Sequence, residues 1–207
     1  MNLNKGYGMH LVLLGDSVFD NRVYVASEES VAAHLKRLLP ADINLTCLAV
    51  DGHLTSDVFC QLDRLPETAT HIALSSGGND ALSLVHLLDS PCCTISDALK
   101  QLSQLLKKFE HDYGRLKNRL ELLGLPVLVC TIYDAVPGLP SHWKTALSLF
   151  NDVISKGIHN DLNDCLDLRT CLHQESDFSE KSPIEPSGTG GLKIAQHITG
   201  WIGSYRH

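Results

Sequence analysis

Met9-His10-Leu11-Val12-Leu13-Leu14-Gly15-Asp16-Ser17-Val18-Phe19-Asp20-Asn21 joins an apolar run to a turn of small and polar residues. An apolar run without alternation reads as a strand buried on both faces, as in a parallel sheet, and a glycine at its carboxyl end lets the backbone bend away. Open α/β sheets bind ligands at that edge. A serine there presents its hydroxyl, and the backbone N–H groups that follow face the same space. The alternative is that Asp16 and Ser17 only cap a helix.

Four more runs of the same kind follow. Ser27-Glu28-Glu29-Ser30 reads as the cap of a helix whose apolar positions Val31, Ala32, Leu35, Leu38 and Leu39 recur at helical spacing until Pro40. Residues 43–50 read as a second strand, ending in the turn Asp51-Gly52-His53, and residues 55–65 as a short helix. Residues 70–75 read as a third strand that empties into Ser76-Gly77-Gly78-Asn79-Asp80. From Thr94 to Leu123, leucines and aromatics recur every three or four residues, which predicts one long amphipathic helix or a broken pair, covering the sheet and stopped by Gly124 and Pro126. Residues 127–133 read as a fourth strand, and a loop through Trp143 leads into a helix through Ala146, Phe150 and Ile154. Residues 165–168 read as a fifth strand, followed by a polar loop from Arg169 to Ser187 and a last helix through Leu192, Ile198 and Trp201. Five alternations of strand and helix predict an α/β fold, a parallel sheet with helices on both faces. The Arg169 to Ser187 loop is long enough to suggest a functional role.

Composition narrows the class. The chain has 207 residues, 43% of them hydrophobic, which suits one large core, so residues 1–207 are expected to form a single domain. With 17 basic and 24 acidic residues the net charge is -7, which argues against nucleic acid as a partner. Residues 1–8 show no charged-then-apolar leader, and no apolar stretch reaches the roughly 20 residues that span a bilayer. The seven cysteines, an odd number with no C-x-x-C pair, read mostly as buried thiols of a reducing compartment, with Cys47, Cys130 and Cys165 in strands. A cytoplasmic location is the expectation.

The three turns at strand ends, Gly15-Asp16-Ser17, Asp51-Gly52-His53 and Gly77-Gly78-Asn79-Asp80, together resemble the SGNH, or GDSL-type, hydrolases, a family of serine esterases, lipases and acyl hydrolases. The resemblance spans nearly the whole chain. It implies a three-layer αβα sandwich with a five-stranded parallel sheet of flavodoxin-like build, no cofactor or metal, and a small ester or acyl compound as substrate. It implies Ser17 as nucleophile within Asp16-Ser17, and Gly52, Asn79 and the Ser17 backbone N–H as an oxyanion hole. Gly78 and Asp80, beside Asn79, are expected against the substrate. The chemistry agrees: oxygen gains negative charge as a hydroxyl attacks an ester carbonyl, and each fixed donor there typically contributes about 2.7–4 kcal/mol.

The sequence departs from that family in its base. The family's Asp-x-x-His stretch aligns with Ser182-Pro183-Ile184-Glu185, so Glu185 stands where the histidine would be and Ser182 where the aspartate would be. Glu185 can act as a base if burial, or the charges of Asp16 and Asp80, raise its pKa, because an ordinary glutamate is about two units less basic than histidine. A histidine from another loop is the second source of a base, His53 first, then His142 and His173. A divalent cation held by Asp16, Asp20, Asp80 and Glu185 is the third, though no spaced ligand motif supports it. Three function classes follow. One is a serine hydrolase with a non-standard base. Another is an inactive relative that binds a small ligand. The last is a phosphate or nucleotide binder using the turn after Leu14 as an anion nest, for which glycine spacing gives no support. Oligomeric state is not indicated, and neither is a role for Cys92-Cys93.

Overall fold

The computed structural model describes residues 8–156 and 163–206, so the leader expected to be absent from residues 1–8 falls almost wholly outside the described residues. Five strands, β1 (His10–Gly15), β2 (Asn44–Cys47), β3 (His71–Ser75), β4 (Val127–Cys130) and β5 (Asn163–Leu166), pair in parallel in the order β2-β1-β3-β4-β5. Register runs from Leu13 against Cys47 on one side and Ala73 on the other, through Leu74 against Val129, to Val129 against Cys165. The chain winds outward to β2, then returns past β1 to β3. Connections therefore leave β1 and β3 in opposite directions, opening a crevice at their carboxyl ends.

Side-chain alternation in the strands sorts the core into two layers. Leu11 and Leu13 face α1 (Val31–Leu38), α7 (Leu168–Cys171) and α8 (Gly188–Gly203), packing with Leu35, Leu168, Ile194 and Ile198. Val12 and Leu14 face α2 (Val58–Leu62), α5 (Ile95–Glu121) and α6 (Ser141–Ser155), packing with Phe109, Tyr113, Leu116 and Ile154. The fold is thus the expected α/β sandwich. Two short helices, α3 (Gly78–Leu82) and α4 (Val85–Leu88), occupy the stretch before α5.

Several boundaries differ from the sequence reading, each for a local reason. β2 stops at Cys47 because the N–H groups of Leu48 and Ala49 both reach Leu13 O, at 2.9 and 3.2 Å. β4 stops at Cys130 because the Asn151 amide from α6 takes both backbone groups of Ile132, at 2.7 and 2.8 Å. β5 lies two residues earlier than expected, since Asp167 caps α7 and draws Leu168 into a helix. Ser30, not Ser27, caps α1, and residues 27–29 form a separate tight turn. Thr94 caps α5, which then runs unbroken to Glu121.

The leucine stripe of α5 covers the sheet only in part. At 27 residues the helix is about 40 Å long, whereas the five residues of β3 span about 17 Å, so half of it overhangs. Phe109, Tyr113, Leu116 and Leu120 are buried, while Ile95 and Leu99 are 82% and 60% exposed. The cysteines also differ from expectation: Cys130 and Cys171 are buried and Cys165 half-buried, but Cys47, Cys60, Cys92 and Cys93 are exposed. Cys47 sits on the edge strand β2, where little covers it.

Candidate active site

The turn after β1 is fixed from three sides. Gly15 has φ of 124°, and a Cβ there would lie 1.6 Å from Ser75 O, so only glycine lets β1 and β3 approach at this level. The Gln61 side chain of α2 clamps both backbone groups of Gly15: Gly15 N–H donates to its Oε1 at 2.7 Å, and its Nε2 donates to Gly15 O at 2.8 Å. Asp16 Oδ1 accepts from Val18 N–H and from Ser75 Oγ, each at 3.2 Å. Burial pushes the Asp16 carboxyl up to about 7 against those bonds, which favour its charged form.

Ser17 donates from Oγ to Glu185 Oε1 at 3.0 Å. The two are 7% and 5% exposed, so the bond is shielded from water. Glu185 is held by its own loop. Ser179 N–H donates to Glu185 O at 2.8 Å, Glu185 N–H to Ser182 O at 2.9 Å, and Phe178 pairs antiparallel with Pro186. From outside the loop, Asn21 Nδ2 donates to Pro186 O at 3.2 Å and Tyr133 Oη to Ile184 O at 2.5 Å. Phe178 packs on Tyr133 in the core and is not a cleft residue. Glu185 Oε2 is buried without a hydrogen-bond partner among the described residues. Burial pushes the Glu185 carboxyl up to about 7, the Ser17 bond pulls it down, and the charges of Asp16 and Asp51 raise it further. Asp51 takes the place that the sequence reading gave to Asp80.

Asn79 lies in the first turn of α3 behind Gly77, whose φ of 113° turns the chain into the helix. One hydrogen of its amide holds His53 O at 3.0 Å. Ser17, Asp16, Glu185, Asn79 and Gly78 all line one cleft, which encloses about 980 Å³ with its open mouth included. Gly52, at φ of 79°, is not among the lining residues, and Asp80 is turned to Thr55, accepting its N–H and hydroxyl at 2.9 Å each.

The histidines offered as alternative bases lie elsewhere. The ring of His53 meets Gln61 Nε2 at 3.0 Å and does not line the cleft. His142 is exposed against Asp89 at 3.2 Å, and exposed His173 uses its N–H to bond Asp177. The four acids considered as cation ligands do not converge, since Asp20 pairs with Arg22 at 3.0 Å, and no His/Cys/Asp/Glu group of that kind occurs among the described residues.

Three features of the site had not been anticipated. Gln61 gives no sequence signal beyond a polar residue in a short helix. Tyr133 ended a strand in the sequence reading, but its hydroxyl anchors the Glu185 loop. The overhanging half of α5 brings Leu102 and Leu105 into the cleft beside Trp143.

No protein-family model matches the chain, and no curated protein does. Solved structures do. The chain is similar to the lipase Lip_vut3 from a goat rumen metagenome (TM-score 0.73, 18% identity, covering 93% of this chain and 96% of that one). It is similar to an extracellular lipase from Streptomyces rimosus (TM-score 0.68, 16% identity, 95% and 99% covered). It is also similar to a G-D-S-L family lipolytic protein from Desulfitobacterium hafniense (TM-score 0.64, 16% identity, 94% and 99% covered). At these identities the likeness is one of fold: the chain has the α/β fold of SGNH-type hydrolases.

Proposed function

We propose that the chain, as one domain, is a serine hydrolase of the SGNH type that acts on a small ester or acyl compound, with Ser17 as nucleophile and Glu185 as general base. The observation that carries this reading is the buried 3.0 Å bond from Ser17 Oγ to Glu185 Oε1. As Oγ attacks the carbonyl carbon, its proton passes to the Glu185 carboxylate, and the oxyanion forms beside the Ser17 N–H and the second hydrogen of the Asn79 amide. Glu185 then returns the proton to the departing alkoxide. Glu185 next takes a proton from a water whose oxygen attacks the acyl carbon, and as the bond from that carbon to Ser17 Oγ breaks the proton passes to Oγ, freeing the acid and restoring the serine. Gly52 is not counted among the donors, because it does not line the cleft.

A glutamate in this position needs no third residue. A histidine base needs an acid to fix its tautomer and ring orientation, whereas a carboxylate has neither problem. Ser182 in the aspartate position is consistent with that, since it serves through its carbonyl by accepting the Glu185 N–H. The raised pKa narrows the deficit in basicity against an imidazole near 6.5. Asp16 acts as a positioning residue that shapes the turn. The cytoplasmic location stays part of this proposal, resting on the cysteine usage; no helix among the described residues is long and apolar enough to cross a membrane.

One observation favours a second reading, a ligand-binding protein without turnover: a carboxyl at about 7 is still protonated in half of the molecules there, and an acid cannot accept the Ser17 proton. Fluorophosphonate labelling decides between them. The hydrolase reading expects labelling of the wild type, none of Ser17→Ala and a strong loss in Glu185→Gln. A folded wild type that neither labels nor hydrolyses any ester overturns it.

A further inference from the structure

We propose that the cleft beside Ser17 is an acyl-chain subsite, selecting substrates whose acyl part is an aliphatic chain of medium length over acetyl substrates. The kinetic side of this inference rests on Ser17 being the nucleophile; its binding side rests on the cleft alone.

The polar groups of the cleft come from the ends of β1, β3 and β4, the start of α3 and the Glu185 loop. Away from them the walls are Leu84 and Leu88 around α4, Leu102 and Leu105 on the overhanging half of α5, and Trp143 and Leu147 on α6. Among the described residues no lysine, arginine or histidine lines the cleft, so an anionic group at the far end finds no counter-charge there. That end has no amide or carboxylate among the described residues either, and its one side-chain polar atom, the indole N–H of Trp143, is buried without a partner, so the several hydroxyls of a sugar placed there would go largely unpaired, which such walls reject. A methylene chain gives up no hydrogen bonds of its own on entering. Each methylene buried against such walls strengthens binding about fourfold. The overhang of α5 follows from its length against the sheet, so this wall is part of the fold's frame and not a loop that needs to close.

The test compares p-nitrophenyl acetate, butanoate and octanoate as substrates, and measures octan-1-ol and butan-1-ol binding to the Ser17→Ala protein by calorimetry. The expected results are kcat/KM at least tenfold higher for octanoate than for acetate, and octan-1-ol bound at least tenfold more tightly than butan-1-ol. Leu105→Trp on α5 and Leu147→Trp on α6, each checked for fold by near-UV circular dichroism, should each lower the octanoate-to-acetate ratio at least tenfold. Tight octan-1-ol binding without hydrolysis of any ester upholds the subsite and removes Ser17 as nucleophile. Acetate turnover matching or exceeding octanoate, with no preference between the alcohols, overturns the subsite and leaves Ser17 in place.

Discussion

Replacing Glu185 by glutamine changes how stability depends on pH, and the structure fixes both sign and size. In the folded chain burial raises this carboxyl from its ordinary 4.5 to about 7. Between those two values the folded state keeps a proton that the unfolded state has lost, so stability falls as pH rises through the interval and flattens above it. At about 1.36 kcal/mol per unit the loss is roughly 3 kcal/mol. In Glu185→Gln this loss disappears. The absolute stability of the variant mixes two effects, because the amide keeps an oxygen for the Ser17 hydroxyl but places an N–H group where the unpartnered Oε2 stood, at a cost of about 1–3 kcal/mol. The change with pH is therefore the clean readout, and Asp16, raised in the same direction by its own burial, contributes that part to both proteins, so the difference reads Glu185 together with its coupling to Asp16. Urea unfolding at pH 4.5 and pH 8, with a slope of about 2 kcal/mol per molar, should show the wild type losing more than 1 M of midpoint relative to the variant. Parallel wild-type and variant curves across that range would refute the raised Glu185 carboxyl.

The wild-type kcat/KM should rise with pH through about 7, since the base must be ionised, and an activity maximum near pH 5 would contradict Glu185 as base. Asp16→Asn keeps an oxygen for Val18 and Ser75 but removes a charge that raises Glu185, so the midpoint of that profile should move to lower pH; an unmoved midpoint would refute the coupling. Gly15→Ala drives a Cβ to 1.6 Å from Ser75 O and should cost more than about 4 kcal/mol or prevent folding, as thermal unfolding would report. Gln61→Leu leaves the N–H of Gly15 unpaired, while its C=O keeps the Val50 N–H at 3.1 Å, and should destabilise by about 1–3 kcal/mol in urea, with Ser17 labelling slowed as the turn loosens.

The sheet was legible because parallel strands buried on both faces announce themselves. Leu11-Val12-Leu13-Leu14 has to meet apolar neighbours on either side, and the glycine after it must be where the chain turns. Strand ends were less legible, because a side chain from another element decided them. Nothing in residues 127–133 shows that Asn151 will capture the backbone of Ile132. The same holds at the site. Ser17 stood out in the turn that ends β1, Asn79 and Glu185 entered only through the family resemblance, and all three line one cleft. Gly52 and His53 sit in an equally suggestive turn, but the amide of Asn79 and the side chain of Gln61 tie that segment down beside the cleft instead of within it. The apolar wall escaped notice for a geometric reason, since the stripe on α5 is continuous in sequence while the sheet beneath it is less than half as long.

The role proposed for Glu185 is intelligible only together with the loop around it. An exposed glutamate near its ordinary pKa is a poor acceptor for a serine proton, and no single substitution repairs that. Here Tyr133 and Asn21 pin the carbonyls of Ile184 and Pro186, the bridge to Phe178 closes the loop, and the carboxylate is carried into a site that water barely reaches. Burial raises its basicity, and the nearby Asp16 raises it further while fixing the turn that holds Ser17. The same placement leaves Oε2 without a partner, a cost that a purely structural glutamate would have been spared by an apolar residue of similar size. A buried acid with an unpartnered oxygen, bonded to a serine hydroxyl at the edge of an apolar cleft, is hard to account for by stability alone, and this is what supports the proposal that it takes the Ser17 proton.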